Sequence, residues 1–207
     1  MDTAFLITSF ATLFVIIDPI GLLPMFIAFT PGASQQQRRS IAVRACVMAF
    51  LILSMFAFFG EAVLGFIGIS MPAFRIAGGA LLFLTALDML FDRRSKRRED
   101  QSDRQVEQVD DPSVFPLAIP LIAGPGSIAT VILLSSQSPG VQGTVLILGV
   151  ALVVLLAVMV FFMAGSLLER ALGPIGINVV TRLLGMLLAA LSVQFILDGL
   201  KAFGFAS

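Results

Sequence analysis

Residues 5–29 form an apolar stretch long enough to cross a bilayer, and at its middle stand Ile17-Asp18-Pro19-Ile20-Gly21-Leu22-Leu23-Pro24. A membrane span needs about 20 apolar residues at a rise of about 1.5 Å each, which places Asp18 near mid-depth. A carboxylate there is costly, about 2.5–3.5 kcal/mol on insertion scales. Pro19 withholds a backbone N–H and Gly21 loosens the chain, so the helix must break or kink at this point. Non-helical backbone at membrane depth is confined to places where it is buried in protein or lines a cavity. Two readings of the break stay open at this stage: a cavity-lining binding site, or a proline kink whose acid bonds to a neighbouring helix.

The rest of the chain makes the same demand for a bilayer. With 58% hydrophobic and 13% charged residues, it has the composition of an integral membrane protein. Histidine is absent and Cys46 is the single cysteine, so there is neither a disulfide framework nor a zinc-ligand pattern. Proton coupling then falls to carboxylates or water, and any metal would need oxygen ligands. The sequence contains no His-Glu-x-x-His, Gly-x-Ser-x-Gly, phosphate loop or Cys-x-x-Cys, so no enzyme, catalytic residue, bound metal or cofactor is expected. Met1-Asp2-Thr3 lacks the basic start of a cleavable signal, and the first apolar stretch reads as a transmembrane helix.

Turn-forming clusters divide the chain into an expected all-α protein of six transmembrane helices, over 4–29, 41–60, 73–91, 113–136, 141–168 and 176–200. The fourth carries a second interruption, Ile122-Ala123-Gly124-Pro125-Gly126-Ser127, at its middle. Residues 92–112 hold charges of both signs and read as a solvated loop; acidic residues follow the basic ones too closely for a nucleic-acid site. Lys and Arg gather after the first, third and fifth helices, as Arg38, Arg39 and Arg44, then Arg93 to Arg104, then Arg170 and Arg182. The positive-inside rule puts both termini outside and the loop 92–112 in the cytoplasm.

The two halves resemble each other. Leu64-Gly65-Phe66-Ile67-Gly68-Ile69-Ser70 parallels Leu172-Gly173-Pro174-Ile175-Gly176-Ile177-Asn178, and Arg75-Ile76-Ala77-Gly78 parallels Arg182-Leu183-Leu184-Gly185. Leu87-Asp88 and Leu197-Asp198 close the matched helices, and the two breaks fall opposite each other. Three spans being an odd number, the second copy must enter the membrane from the other side. The expected architecture is a 3+3 inverted repeat, 1–91 and 113–207 joined by the loop 92–112, with helices 1 and 4 broken near the bilayer midplane.

Where the chain re-enters a helix after Gly124-Pro125-Gly126, free N–H groups and the helix dipole favour a carboxylate. Asp18 and the carbonyls beside it offer the opposite character, which together suits a zwitterion. The candidate substrate site is therefore Asp18, Pro19 and Gly21 facing Gly124, Pro125, Gly126, Ser127, Ile128 and Thr130. A small neutral amino acid would set its carboxylate on the amides of Gly126, Ser127 and Ile128 and its ammonium on Asp18, with Thr12 and Ser135 adding hydroxyls. Asp18 is also the candidate carrier of a coupling proton, and broken-helix carbonyls suit Na+ equally. Arg75, Arg182, Asp88 and Asp198 read as anchors or interhelical partners, and Gly78, Gly79 and Gly185 as close-packing positions. Nothing in the chain specifies a homo-oligomer; the bilayer is the one partner it requires.

At these motifs the sequence resembles the MarC family of integral membrane proteins, which includes small neutral amino acid transporters of the SnatA type. Asp18-Pro19-Ile20-Gly21-Leu22-Leu23-Pro24 carries the likeness, with Phe115-Pro116-Leu117-Ala118-Ile119-Pro120 running into Ala123-Gly124-Pro125-Gly126-Ser127-Ile128. The resemblance spans essentially the whole chain. It implies a bacterial inner-membrane protein of six spans that transports glycine, alanine or similar solutes by alternating access, coupled to H+ or Na+. Efflux of amphiphilic drugs and a non-transporting membrane scaffold are the alternatives.

Overall fold

The computed structural model describes residues 3–91, 111–138 and 140–205, and all their regular structure is helical. The elements in order are α1 (Thr3–Ile17), α2 (Leu23–Ala28), α3 (Gln35–Ile67), α4 (Met71–Leu90), α5 (Ser113–Ile122), α6 (Pro125–Ser136), α7 (Val141–Met163) and α8 (Gly165–Ala202). The expected first helix is thus two helices, parted at Asp18. The fourth is likewise α5 and α6, meeting at a bend of 58°. Residues 92–110 of the expected loop lie outside the described residues.

Several boundaries differ from the sequence expectation for local reasons. The helix expected over 41–60 runs from Gln35 to Ile67. At its start the Ser34 hydroxyl accepts the Gln37 N–H (3.3 Å) while the Gln37 side-chain oxygen accepts the Ser34 N–H (2.8 Å), a reciprocal cap. At its end Gly68 takes a left-handed conformation with φ 85°, which glycine adopts without a Cβ penalty. The fifth helix ends at Met163 instead of 168, and the turn expected at Glu169-Arg170 is absent because α8 already starts at Gly165. Gly173 (φ 61°, ψ 173°) only interrupts that helix, at the residue before Pro174, where the proline ring disfavours helical backbone.

Among the described residues, four helices are long and apolar enough to cross a membrane: α3, α4, α7 and α8 from Ala171 onward. The bent pair α5 and α6 makes a fifth crossing or a re-entrant loop, and α1 alone is shorter than a span. A sixth crossing therefore depends on α1 and α2 acting together.

α1 contributes to both hydrophobic cores. Its Leu13 and Ile17 join a core with Phe26, Leu53, Leu117, Ile147, Val154 and Phe162, drawn from α2, α3, α5 and α7. Its Val15 and Ile16 join a second core with Leu82, Met89, Leu133, Leu188 and Phe195, from α4, α6 and α8. Phe26 and Phe162 stack with ring centres 4.2 Å apart, fastening α2 to α7. Side chains such as Leu51, Val153 and Leu187 remain largely exposed on the outer faces, which a lipid environment accommodates.

Helices α4 and α8 run antiparallel in close contact, and glycines permit it. A Cβ at Gly79 would lie 2.8 Å from the Ser192 carbonyl oxygen, and one at Gly185 would lie 3.2 Å from that of Ala86. These are the positions that the sequence marks for close packing. Cys46 of α3 likewise faces the Leu155 carbonyl of α7 at 3.6 Å.

Candidate functional site

The first break is closed by its own acid. Asp18 donates its N–H to the Phe14 carbonyl (2.9 Å), ending α1, and then adopts φ 55°. Asp tolerates this left-handed conformation because its short side chain can bond locally. Its Oδ1 accepts the Gly21 N–H at 3.0 Å, and its carbonyl accepts the Leu22 N–H at 3.0 Å. A Cβ at Gly21 would collide with the carboxylate, 2.7 Å from Asp18 Cγ, so the turn requires glycine there. Asp18 has no exposed surface and Pro19 is also buried. The carboxylate is thus fixed in a specific direction at the junction of α1 and α2.

The second break is built from backbone. Within α5, Pro116 and Pro120 withhold N–H groups, and the residues before them, Phe115 and Ile119, are extended (φ −130° and −124°). A wide helical turn results, closed by the Ala123 N–H on the Ala118 carbonyl at 2.8 Å. Gly124 is extended and buried; a Cβ on it would stand 2.5 Å from the Pro120 carbonyl oxygen. Pro125 then opens α6, a position where a missing N–H costs nothing. No side chain caps this helix start. The Ser127 hydroxyl instead donates back to the Ile122 carbonyl (2.8 Å), tying the two sides of the break together.

These contacts correct part of the expected amide cradle. The Ile128 N–H donates to the Gly124 carbonyl at 3.0 Å, so it belongs to the helix and is not offered to a ligand. Gly126 and Ser127 remain, the N–H groups of the first turn for which an α-helix supplies no acceptor. Pro125 turns to the exposed side of the chain.

Gly126 brings the two breaks together. A Cβ there would lie 3.4 Å from Cγ2 of Ile16 and 3.5 Å from Cδ2 of Leu82, so the start of α6 abuts α1 two residues before Asp18. One turn further along α6, Thr130 has no exposed surface, and its hydroxyl has no hydrogen-bond partner among the described residues. Thr12 is buried too, but its hydroxyl donates to the Thr8 carbonyl at 2.7 Å. Ser135 is buried more than two turns from Gly126 and is not brought to the break. Among the described residues no group of three or more His, Cys, Asp or Glu side chains is placed to hold a metal ion.

Sequence reasoning passed over Ser9, fully buried with a hydroxyl that has no hydrogen-bond partner among the described residues, and the neighbours of Gly126, Ile16 and Leu82. Ser9, Thr12 and Ile16 were legible as one helical face from their spacing of three and four. Leu82 carried no such signal, being one apolar residue among many.

Residues 3–203 match a family described as MarC family integral membrane protein. A UPF0056 membrane protein of Archaeoglobus fulgidus is 41% identical over 199 residues, 95% of this chain and 92% of that one. The UPF0056 membrane protein YvbG of Bacillus subtilis is 36% identical over 204 residues, covering 97% and 96% of the two chains. A UPF0056 membrane protein of Aquifex aeolicus is 36% identical over 196 residues, or 94% and 92%. No solved structure matches the chain.

Proposed function

Because the chain belongs to the MarC family of integral membrane proteins, we propose that it is a secondary transporter of small neutral amino acids such as glycine and alanine. The observation that carries this reading is the approach of Gly126, at an uncapped helix start, to Ile16 beside the buried Asp18. A helix N-terminus carries about half a positive charge, and on this reading the Asp18 carboxyl at the neighbouring break supplies the opposite pole for a zwitterion. One turn away Thr130 adds a buried hydroxyl with no hydrogen-bond partner among the described residues.

Alternating access then follows from a 3+3 inverted repeat, in which α1 with α2 forms one broken crossing and α5 with α6 the other. The antiparallel pairing of α4 with α8, the last helices of the two halves, in close approach at Gly79 and Gly185, supports that symmetry. On this reading the basic loops face the cytoplasm of a bacterial inner membrane and the termini lie outside. Asp18 carries the coupling proton, or the carbonyls around it take Na+.

One observation favours a packing role for the first break: Asp18 uses Oδ1 to close its own turn. Transport measured directly separates the readings. Purified protein in proteoliposomes, given labelled glycine or alanine, is expected to move it when a pH or sodium gradient is imposed, and the effective gradient names the coupling ion. Folded protein that moves neither solute above empty liposomes under either gradient contradicts the proposal.

A further inference from the structure

Where α2 ends and α3 begins, Phe29, Thr30, Gln37, Ser40, Arg44 and Asp111 border a cavity of about 420 Å³. Its walls are largely polar, with Phe29, Pro31, Ile41 and Pro112 adding apolar surface, unlike the groove between Val43 of α3 and Met159 of α7, which is apolar throughout. The cavity holds one charge of each sign. Arg44 Nη1 meets Asp111 Oδ2 at 2.6 Å, and the two side chains are 52% and 41% exposed.

Each charge is steadied by its own stretch of chain. Arg44 Nε donates to the Ser40 carbonyl at 3.4 Å, and Asp111 Oδ1 accepts the Ser113 N–H at 3.1 Å. Partial burial works against ionisation of Asp111, but the Ser113 bonds and the Arg44 guanidinium outweigh it and hold the carboxyl below the usual range. Asp111 is therefore charged at neutral pH. The pair also joins the two halves of the chain, α3 on one side and the approach to α5 on the other. It must part if those halves separate at this face. Half-exposed ion pairs are weakly held, so a ligand that satisfies both charges can replace it.

We infer that this cavity is a peripheral binding station, on the face of the basic loops, for a small zwitterion, whose carboxylate takes the fork of Arg44 and whose ammonium takes Asp111 as the ion pair opens. A guanidinium is the side chain best matched to a carboxylate, through two parallel N–H donors. A simple anion would meet Asp111 and a simple cation would meet Arg44, so the station selects for both charges on one small molecule. The choice of an amino acid rests on the transport reading above. The station adds a place where the substrate itself unlocks one face before reaching the break.

The test is protection from labelling, which does not depend on flux. In the full chain in lipid nanodiscs, with the buried Cys46 replaced (Cys46→Ala), Ser40→Cys places a thiol in the cavity wall for a water-soluble maleimide. Alanine is expected to slow labelling roughly tenfold at about nine times its Kd, and neither propionate nor ethylamine at the same concentration should do so. Arg44→Ala and Asp111→Ala should each abolish the protection, and the exchange Arg44→Asp with Asp111→Arg should restore it. The peripheral station is overturned by labelling indifferent to alanine, by equal protection from propionate, or by protection that survives either single variant. Flux without protection sinks the station and leaves the transport reading intact. Protection without flux keeps the station and sinks transport.

Discussion

The two breaks solve one problem in opposite ways. At the first, a side chain finishes the backbone: Asp18 turns left-handed, takes the Gly21 N–H on its carboxylate, and leads into the six-residue α2. At the second, glycine and proline shape the backbone and no side chain caps the helix that follows, whose own turns supply no acceptor for the amides of Gly126 and Ser127. One break presents a carboxyl group tied into its own turn and the other a helix start without a side-chain cap. A broken helix can thus be closed by a side chain or shaped by backbone alone, and this chain holds one of each.

The largest effect that would break this comparison is at Gly21. Gly21→Ala drives a methyl into the Asp18 carboxylate and is expected to lower stability by about 2 kcal/mol or more, read from thermal unfolding in detergent. Gly126→Ala, at the open break, meets only Ile16 and Leu82 at 3.4 and 3.5 Å and should stay within about 0.5 kcal/mol of wild type. Equal losses at both glycines would erase the distinction.

Asp18 itself is the next probe. Asp18→Ala removes the acceptor for the Gly21 N–H and should cost about 1 kcal/mol or slightly more, whereas Asp18→Asn retains an acceptor and should cost less. Transport should fail in both, since asparagine keeps the turn and loses the charge. Thr130→Val sharpens the open side. It deletes an unpartnered buried hydroxyl, so stability should hold or rise by up to about 1 kcal/mol while the KM for alanine rises.

The smallest effect concerns Asp111. Its carboxyl is held below the usual range, so its contribution is present above about pH 4, the unfolded value, and is lost as pH falls through the lower folded value. For a half-exposed pair this amounts to a few tenths of a kcal/mol. The difference in Tm between wild type and Asp111→Asn should shrink toward zero at the acid end of a titration.

Much of this arrangement was legible in residues with strong backbone rules. Asp18-Pro19 and Gly124-Pro125-Gly126 announce breaks because proline lacks a donor and glycine lacks a Cβ. The start of α3 was hidden because Gln35-Gln36-Gln37-Arg38-Arg39 looks like loop until Ser34 and Gln37 are seen to cap each other. The early start of α8 was hidden by Gly173-Pro174, which reads as a turn but only kinks a helix whose packing carries it through. That Ile128 surrenders its N–H to Gly124 depends on where α6 begins, to the residue. The pairing of Arg44 with Asp111 is tertiary, and spacing along the chain gives no hint of it.

The most direct measurement is gradient-driven alanine flux in proteoliposomes for wild type and Gly126→Leu, each checked for cooperative unfolding. Leucine projects its branched side chain from the start of α6 toward Ile16 and Leu82. The account predicts flux in wild type and none above empty liposomes in folded Gly126→Leu. Wild-type flux through a folded Gly126→Leu would place the substrate path elsewhere and contradict the claim that the two breaks form one site.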